Sequence, residues 1–270
     1  MNQRLLMSIA LLSTVGCAHV DAGLDEATCD TAASALPAGG TDFHVHIHPY
    51  RHEGMSYNAK RAELALNSAG LTEAVAISTS YQRVANPACR KAGVEGCPLD
   101  RKWVQETNDW TAEEAKRVDF RWHFFCGVPL GADWAIEEMR RCKQIGAAGF
   151  KVHTLANRLS LRQSDVYGEV GGILAEAERL DLPVLVHASF GDPEETTALI
   201  TLINASPNTR VILGHALYRE WTRLPEITSK NVVVELSVAV LKMAKAPEQA
   251  VALMRSFGME RFVFGSDWPV

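Results

Sequence analysis

The sequence carries no cluster of basic residues: 27 Lys and Arg stand against 32 Asp and Glu, a formal charge of -5. That balance argues against nucleic-acid binding as the main task. The six cysteines include no C-x-x-C pair, so a zinc finger or other sulfur-ligated metal is not expected. The apolar run at residues 5–15 is about half the roughly twenty residues that a membrane-spanning helix needs. What is present is 47% hydrophobic and 22% charged, with 19 Gly and 11 Pro. This is ordinary globular composition, and it excludes disordered, collagen-like and coiled-coil chains.

Arg4 precedes the short apolar run, which ends at Gly16-Cys17; residues 1–16 therefore read as an export signal. Thr14-Val15-Gly16-Cys17 resembles a lipobox, where cleavage precedes a cysteine that becomes lipid-modified. Lipidation of Cys17 and a bacterial cell-envelope lipoprotein are expected, with a plain secretory signal as the alternative. Residues 17–40, rich in Ala, Gly and Asp, read as a flexible tether to a domain over 41–270. Cys89 and Cys97 flank a polar, Gly-containing stretch, and an oxidising compartment would pair them as a local disulfide.

From residue 41 onward, short apolar runs alternate with segments of helical period. Strands are expected at 41–47, 73–79, 120–128, 149–153, 183–187, 211–215, 232–236 and 261–265. Helices are expected between them, among others at 59–68, 103–118, 134–145, 171–180 and 194–204. Continuous apolar strands alternating with helices imply a parallel sheet, and eight of them imply an α/β TIM barrel, (β/α)8. An open doubly wound sheet is disfavoured because no Gly-rich phosphate loop follows the first strand. The sequence ends at Val270, straight after the eighth strand, so the barrel is expected to lack its eighth helix.

Of nine histidines, His44, His46, His123, His153, His187 and His215 fall on or just beyond predicted strands. His44 and His46 are two apart, so both side chains point to one face. His187 and His215 end the fifth and sixth strands, and Asp267 follows the eighth. A polar group closing an apolar run is costly without a partner, and the C-terminal rim of a barrel is where active sites lie. Neutral imidazoles and one carboxylate suit zinc-type coordination with a position left for water.

The segments Asp42-Phe43-His44-Val45-His46, Gly149-Phe150-Lys151-Val152-His153 and Phe264-Gly265-Ser266-Asp267-Trp268-Pro269 together resemble the amidohydrolase superfamily. The strand ends at His187 and His215 share in this resemblance. The closer likeness is to its amidohydrolase-related branch, which includes aminocarboxymuconate-semialdehyde decarboxylase; Asn108-Asp109-Trp110 fits that branch as well. The resemblance implies His44, His46, His187 and Asp267 as ligands of one divalent metal, with zinc expected. It implies His215 as a residue contacting the metal-bound water or substrate. Lys151 falls where some relatives carry a carboxylated lysine bridging two metals; here a single metal and an unmodified lysine are expected.

On this basis a hydrolase of small molecules is expected, acting on an amide, lactone or ester. Asp267 would take and return a proton, and His215 and the metal would stabilise the oxyanion. A decarboxylase of a small carboxylic acid would use the same ligands, with Lys151 or Arg83 holding the carboxylate. A lipid-anchored binding protein without catalysis is the third reading. His48 and His52 read as solvated loop residues and His123 as structural, while His153 either lines the pocket or is structural. Glu235 could reach the rim but is not read as a catalytic acid.

Overall fold

A computed structural model describes residues 39–52, 55–82, 99–187 and 191–269. The export signal, Cys17, nearly all of the tether, Arg83, and Cys89 with Cys97 lie outside the described residues. Side-chain alternation decides what each strand contributes. In β1 (Thr41–His52), Asp42, His44 and His46 share one face, while Val45 and Ile47 share the other with Ala59, Ala62 and Leu66 of α1 (Ala59–Ser68). The strands β3 (Glu73–Ser78), β4 (Arg121–Gly127), β5 (Gly149–His153) and β6 (Val184–His187) follow in order, each parallel to its neighbour. So do β7 (Val211–Leu213), β8 (Val232–Glu235) and β9 (Phe262–Val263). All eight expected strand segments are present, and the fold is the expected TIM-barrel-like one.

One face of the sheet packs on helices α2 (Arg101–Glu114), α3 (Ala135–Gln144), α4 (Ser164–Arg179), α5 (Pro193–Ala205) and α6 (Pro247–Phe257). Phe124, Phe150, Val152, Val184, Val186, Val232 and Val234 supply that outer core. The inner face has its own apolar floor of Val75, Ile77, Phe125, Leu185 and Ile212. Gly149 leaves room for the Phe125 ring, since a Cβ there would come within 2.4 Å of it. Polar residues occupy the layer above this floor, at the C-terminal ends of the strands, as barrel geometry requires.

The ring closes through the segment after β9. Phe43 N donates to the Phe264 carbonyl at 2.9 Å, and His46 N donates to the Trp268 carbonyl at 2.8 Å. Between these bonds Asp42 Oδ1 accepts from the backbone N–H groups of both His44 and Ser266. Burial pushes the Asp42 carboxyl up to about 7 against these bonds. The clasp fixes residues 264–268 beside β1, and with them Asp267.

Two features depart from the expected elements. β1 runs on to His52 because β2 (Met55–Tyr57) folds back on it as an antiparallel arm. His48 is accordingly buried against the Tyr57 ring, 5.0 Å between centroids, rather than solvated. A buried disulfide joins Cys126 on β4 to Cys142 on α3, sixteen residues apart. Closing a loop of that length is worth roughly 3 kcal/mol. No helix among the described residues is long and apolar enough to cross a membrane.

On the outer surface, Glu176 of α4 is mostly buried and accepts from Arg179 Nε and Arg140 Nε, each at 2.8 Å. The bonds from Arg179, then Arg140, outweigh burial and pull its carboxyl down to about 2. A carboxyl lowered on folding contributes stability above its unfolded value and loses it as pH falls. The Glu176→Gln variant should therefore be less stable by on the order of 1–2 kcal/mol at pH 7, discounted because both arginines are half exposed. That deficit should vanish between pH 4.5 and about 2, which urea titrations at several pH values would check.

Candidate metal centre

His44 stands at the centre of the polar layer and is fully buried. Its Nδ1 lies 2.8 Å from Glu235 Oε2, at the end of β8. With the carboxylate accepting the Nδ1 proton, Nε2 keeps its lone pair. That Nε2 lies 3.2 Å from His46 Nε2 and 3.3 Å from Asp267 Oδ1, and His46 Nε2 lies 3.2 Å from the same oxygen. Ligands 2.0–2.1 Å from a tetrahedrally coordinated zinc would be separated by about 3.3 Å. The three atoms therefore already have the spacing of one cation's coordination edges. Two imidazoles and a carboxylate form a donor set that a borderline cation accepts, so the residues fit a divalent ion.

Asp267 reaches this position with φ at 57°, a left-handed conformation that short polar residues tolerate better than most. Burial opposes its ionisation, but contacts with His44, then His46, more than offset that and hold the carboxyl well below the ordinary carboxylate range. Burial, followed by the Lys151 charge, lowers His44 well below the usual imidazole value. Lys151 itself is fully buried, with Nζ 3.2 Å from His44 Nε2. Burial brings its ammonium down to about 8, opposed by Asp267 and Glu235.

Glu235, which the sequence placed within reach of the rim without a role, is the hub of this layer. Besides His44, it accepts from the backbone N–H of His215 at 3.1 Å, from Ser237 N at 2.6 Å and from Ser237 Oγ at 3.2 Å. Burial pushes its carboxyl upward, and these donors oppose the shift. Gly265 makes room for it, because a Cβ there would fall 2.3 Å from Oε1. Ser237 donates its hydroxyl proton to Glu235, so its oxygen accepts from His215 Nδ1, 2.5 Å away. His215 Nε2 is then left with a lone pair. Burial lowers its pKa, against the pull of Glu235 and Asp267.

His215 owes its place to an unusual backbone. Just after β7, His215, Ala216, Leu217 and Tyr218 all have positive φ, between 46° and 61°. Left-handed helical conformation costs roughly 1–2 kcal/mol per residue, so this turn persists only because its surroundings hold it. It brings the His215 ring to 4.9 Å from that of His44 and 4.5 Å from that of His187.

His187 and His153 pair in register at the ends of β6 and β5, with rings stacked 3.8 Å apart. Burial holds both well below the usual imidazole value. Neither belongs to the two groups at this end of the barrel whose ligand atoms lie within 4.8 Å of one another, namely His44, His46 and Asp267, and His44, His215 and Glu235. His153 Nδ1 accepts from Ala156 N at 3.2 Å. His123 lies at the opposite end of the barrel and bonds Glu73 at 3.1 Å, a structural role. Asn108 bonds Ser80 and Gly127 at the sheet and Glu138 on α3, tying α2 to both.

A family model described as Amidohydrolase (Amidohydro_2) matches residues 41–270. Nothing among curated proteins matches the chain. Solved structures share its fold at low identity. One is 2,6-dihydroxybenzoate decarboxylase from Rhizobium, 20% identical, with 86% of this chain and 88% of that one covered at a TM-score of 0.57. Another is a probable 2-pyrone-4,6-dicarboxylic acid hydrolase from Acinetobacter baumannii, 14% identical, with 85% and 84% covered at a TM-score of 0.55. A third is 5-carboxyvanillate decarboxylase from Novosphingobium aromaticivorans with bound manganese, 18% identical, with 77% and 70% covered at a TM-score of 0.54.

Proposed function

Because the chain belongs to the amidohydrolase family, we propose that the polar layer of its barrel is the active site of a metal-dependent hydrolase. Its substrate would be a small molecule with an amide, lactone or ester carbonyl. The observation that carries this reading is the meeting of His44 Nε2, His46 Nε2 and Asp267 Oδ1 at 3.2 to 3.3 Å. These residues would hold one divalent ion, zinc on our reading, with His187 as the further ligand that the family resemblance assigns. Bound there, such an ion supplies Lewis acidity toward a carbonyl and lowers the pKa of water.

The side chains around it divide the remaining work. Asp267, kept ionised, takes the proton of the attacking water and returns it to the leaving group. His215 offers a second proton acceptor at Nε2, because Ser237 occupies its Nδ1. The oxyanion role first expected of His215 then passes to the Lys151 ammonium, a buried positive charge 3.2 Å from His44 Nε2. Glu235 keeps His44 in its ligating tautomer.

Decarboxylation is the second reading. A buried ammonium such as Lys151 suits a substrate carboxylate, which that reaction needs and a neutral ester lacks. Elemental analysis of the purified chain should give one divalent ion per chain and a Lys151 of unmodified mass. Turnover in a panel of esters, lactones, amides and aromatic acids should fall with chelator and return with metal. Release of carbon dioxide without hydrolysis would select the second reading. Two ions per chain, lost together in Lys151→Ala, would overturn the single-ion assignment. Metal retention without turnover of any class would leave the non-catalytic binding protein.

We also propose export and lipidation at Cys17, supported by the Cys126–Cys142 bridge, a bond favoured in oxidising compartments. Fatty-acid labelling that disappears in Cys17→Ser checks this; an unlabelled, soluble wild type would refute it.

A further inference from the structure

The chemistry proposed above leaves one histidine of the polar layer unused. His153 and Lys151 lie two apart on the inner face of β5, paired on β6 with His187 and with Leu185 of the apolar floor. The Lys151 side chain reaches in to His44, whereas the His153 backbone stands about 7 Å farther toward the strand end. The His153 ring stacks on His187 at 3.8 Å, His187 meets His215 at 4.5 Å, and His215 meets His44 at 4.9 Å. Charges on Lys151, His46 and His215 act on the His153 ring, so it stands within electrostatic reach of the metal centre.

The surroundings of His153 hold it in one tautomer. The turn Leu155–Asn157 doubles back at the strand end. Ala156 packs against the apolar floor, and its N–H donates to His153 Nδ1 at 3.2 Å. The Asn157 amide donates to the His153 carbonyl at 2.8 Å. Tyr81, fully buried, lies 5.6 Å from the ring and packs on Gly127, where a Cβ would come within 2.9 Å of Tyr81 Cδ1. A ring nitrogen that accepts carries no proton, so the proton of the neutral imidazole is on Nε2. That N–H, nearer the tip of the side chain, has no acceptor among the described residues. The opposite tautomer would set Nδ1–H against the Ala156 N–H, so Nε2 can donate but not accept.

We infer that His153 is a specificity-determining residue, donating from Nε2 to an ether or carbonyl oxygen of the substrate that lies beyond the carbonyl reacting at the metal centre. The inference rests on the active-site reading of His44, His46 and Asp267. A substrate with a methylene at that point leaves the donor unpaired, and one with an N–H there opposes donor to donor.

Calorimetry on the metal-loaded full chain tests it with hydroxamates, which chelate a divalent ion. Methoxy-terminated hydroxamates of three chain lengths, from methoxyacetohydroxamate upward, are each compared with the alkyl hydroxamate in which a methylene replaces the ether oxygen. At one length the ether should bind about fivefold tighter, the worth of one neutral hydrogen bond. The amide of His153→Asn still accepts from Ala156 N but falls short of the Nε2 position, so the ratio should drop to about one. His153→Gln places an amide N–H near that position and should keep part of the preference. No ether preference at any length in the wild type would overturn the inference. So would a preference surviving in His153→Asn, or one lost equally in His153→Gln. Metal content and affinity for the alkyl probes report the centre alone. Failure of the active-site reading would appear in those two measurements, and failure of the His153 role only in the ether preference.

Discussion

Replacing His44 or Asp267 with alanine should reduce bound metal from one ion per chain to background, as measured by elemental analysis. Each supplies one of the three atoms that meet at 3.2 to 3.3 Å, so removing either breaks the set. Loss of an ion that contributes several kcal/mol to transition-state stabilisation should cost turnover about 10³-fold or more. His215→Ala should keep the ion and lose turnover, since its ring is held by Ser237 and stacked on His44. His187→Ala decides whether that residue is a ligand: metal loss assigns it to the shell, while retention limits the shell to the other three. Metal retained in both His44→Ala and Asp267→Ala would sink the site.

The second large effect is expected at Glu235. Alanine there would strand four buried donors, His44 Nδ1, His215 N, Ser237 N and the Ser237 hydroxyl. A buried donor without a partner costs about 1–3 kcal/mol, so the variant should lose on the order of 3–5 kcal/mol in urea unfolding. Glu235→Gln keeps the shape and most acceptors but no longer favours the Nδ1–H tautomer of His44. It should fold, and its metal affinity should fall about 10- to 100-fold. Wild-type metal affinity in Glu235→Gln would show that the carboxylate supports the fold and does not tune the ligand.

These two sites differ in how far the sequence disclosed them. Strands packed on both faces read as continuous apolar runs, which made all eight legible. His44 and His46 declared a shared face by their spacing of two. Glu235 bears the same mark as His187, a polar residue closing an apolar run, here Val232, Val233 and Val234. Its partner lies 191 positions away, and no local pattern reports that. The spacing of Cys89 and Cys97 drew attention to a short loop, whereas Cys126 and Cys142 meet because α3 returns across β4. The β2 arm, which buries His48, follows Pro49, a residue that reads as the end of a strand. The left-handed turn at His215 contains no glycine after Gly214, so the usual sign of positive φ is missing.

The clasp between Asp42 and Ser266 joins positions 224 residues apart. A contact of such range is among the slowest a chain can form, because almost all the intervening polypeptide must be ordered before it is rewarded. His44 and His46 enter at the first strand and Asp267 arrives only with the last, so a nascent or partly folded barrel carries two imidazoles without their carboxylate. If these residues hold an ion, its tight capture would be a late event that registers completion of the ring. Partly wound intermediates would hold metal weakly and exchange it freely, and the ion would stabilise only those molecules whose two ends have already met.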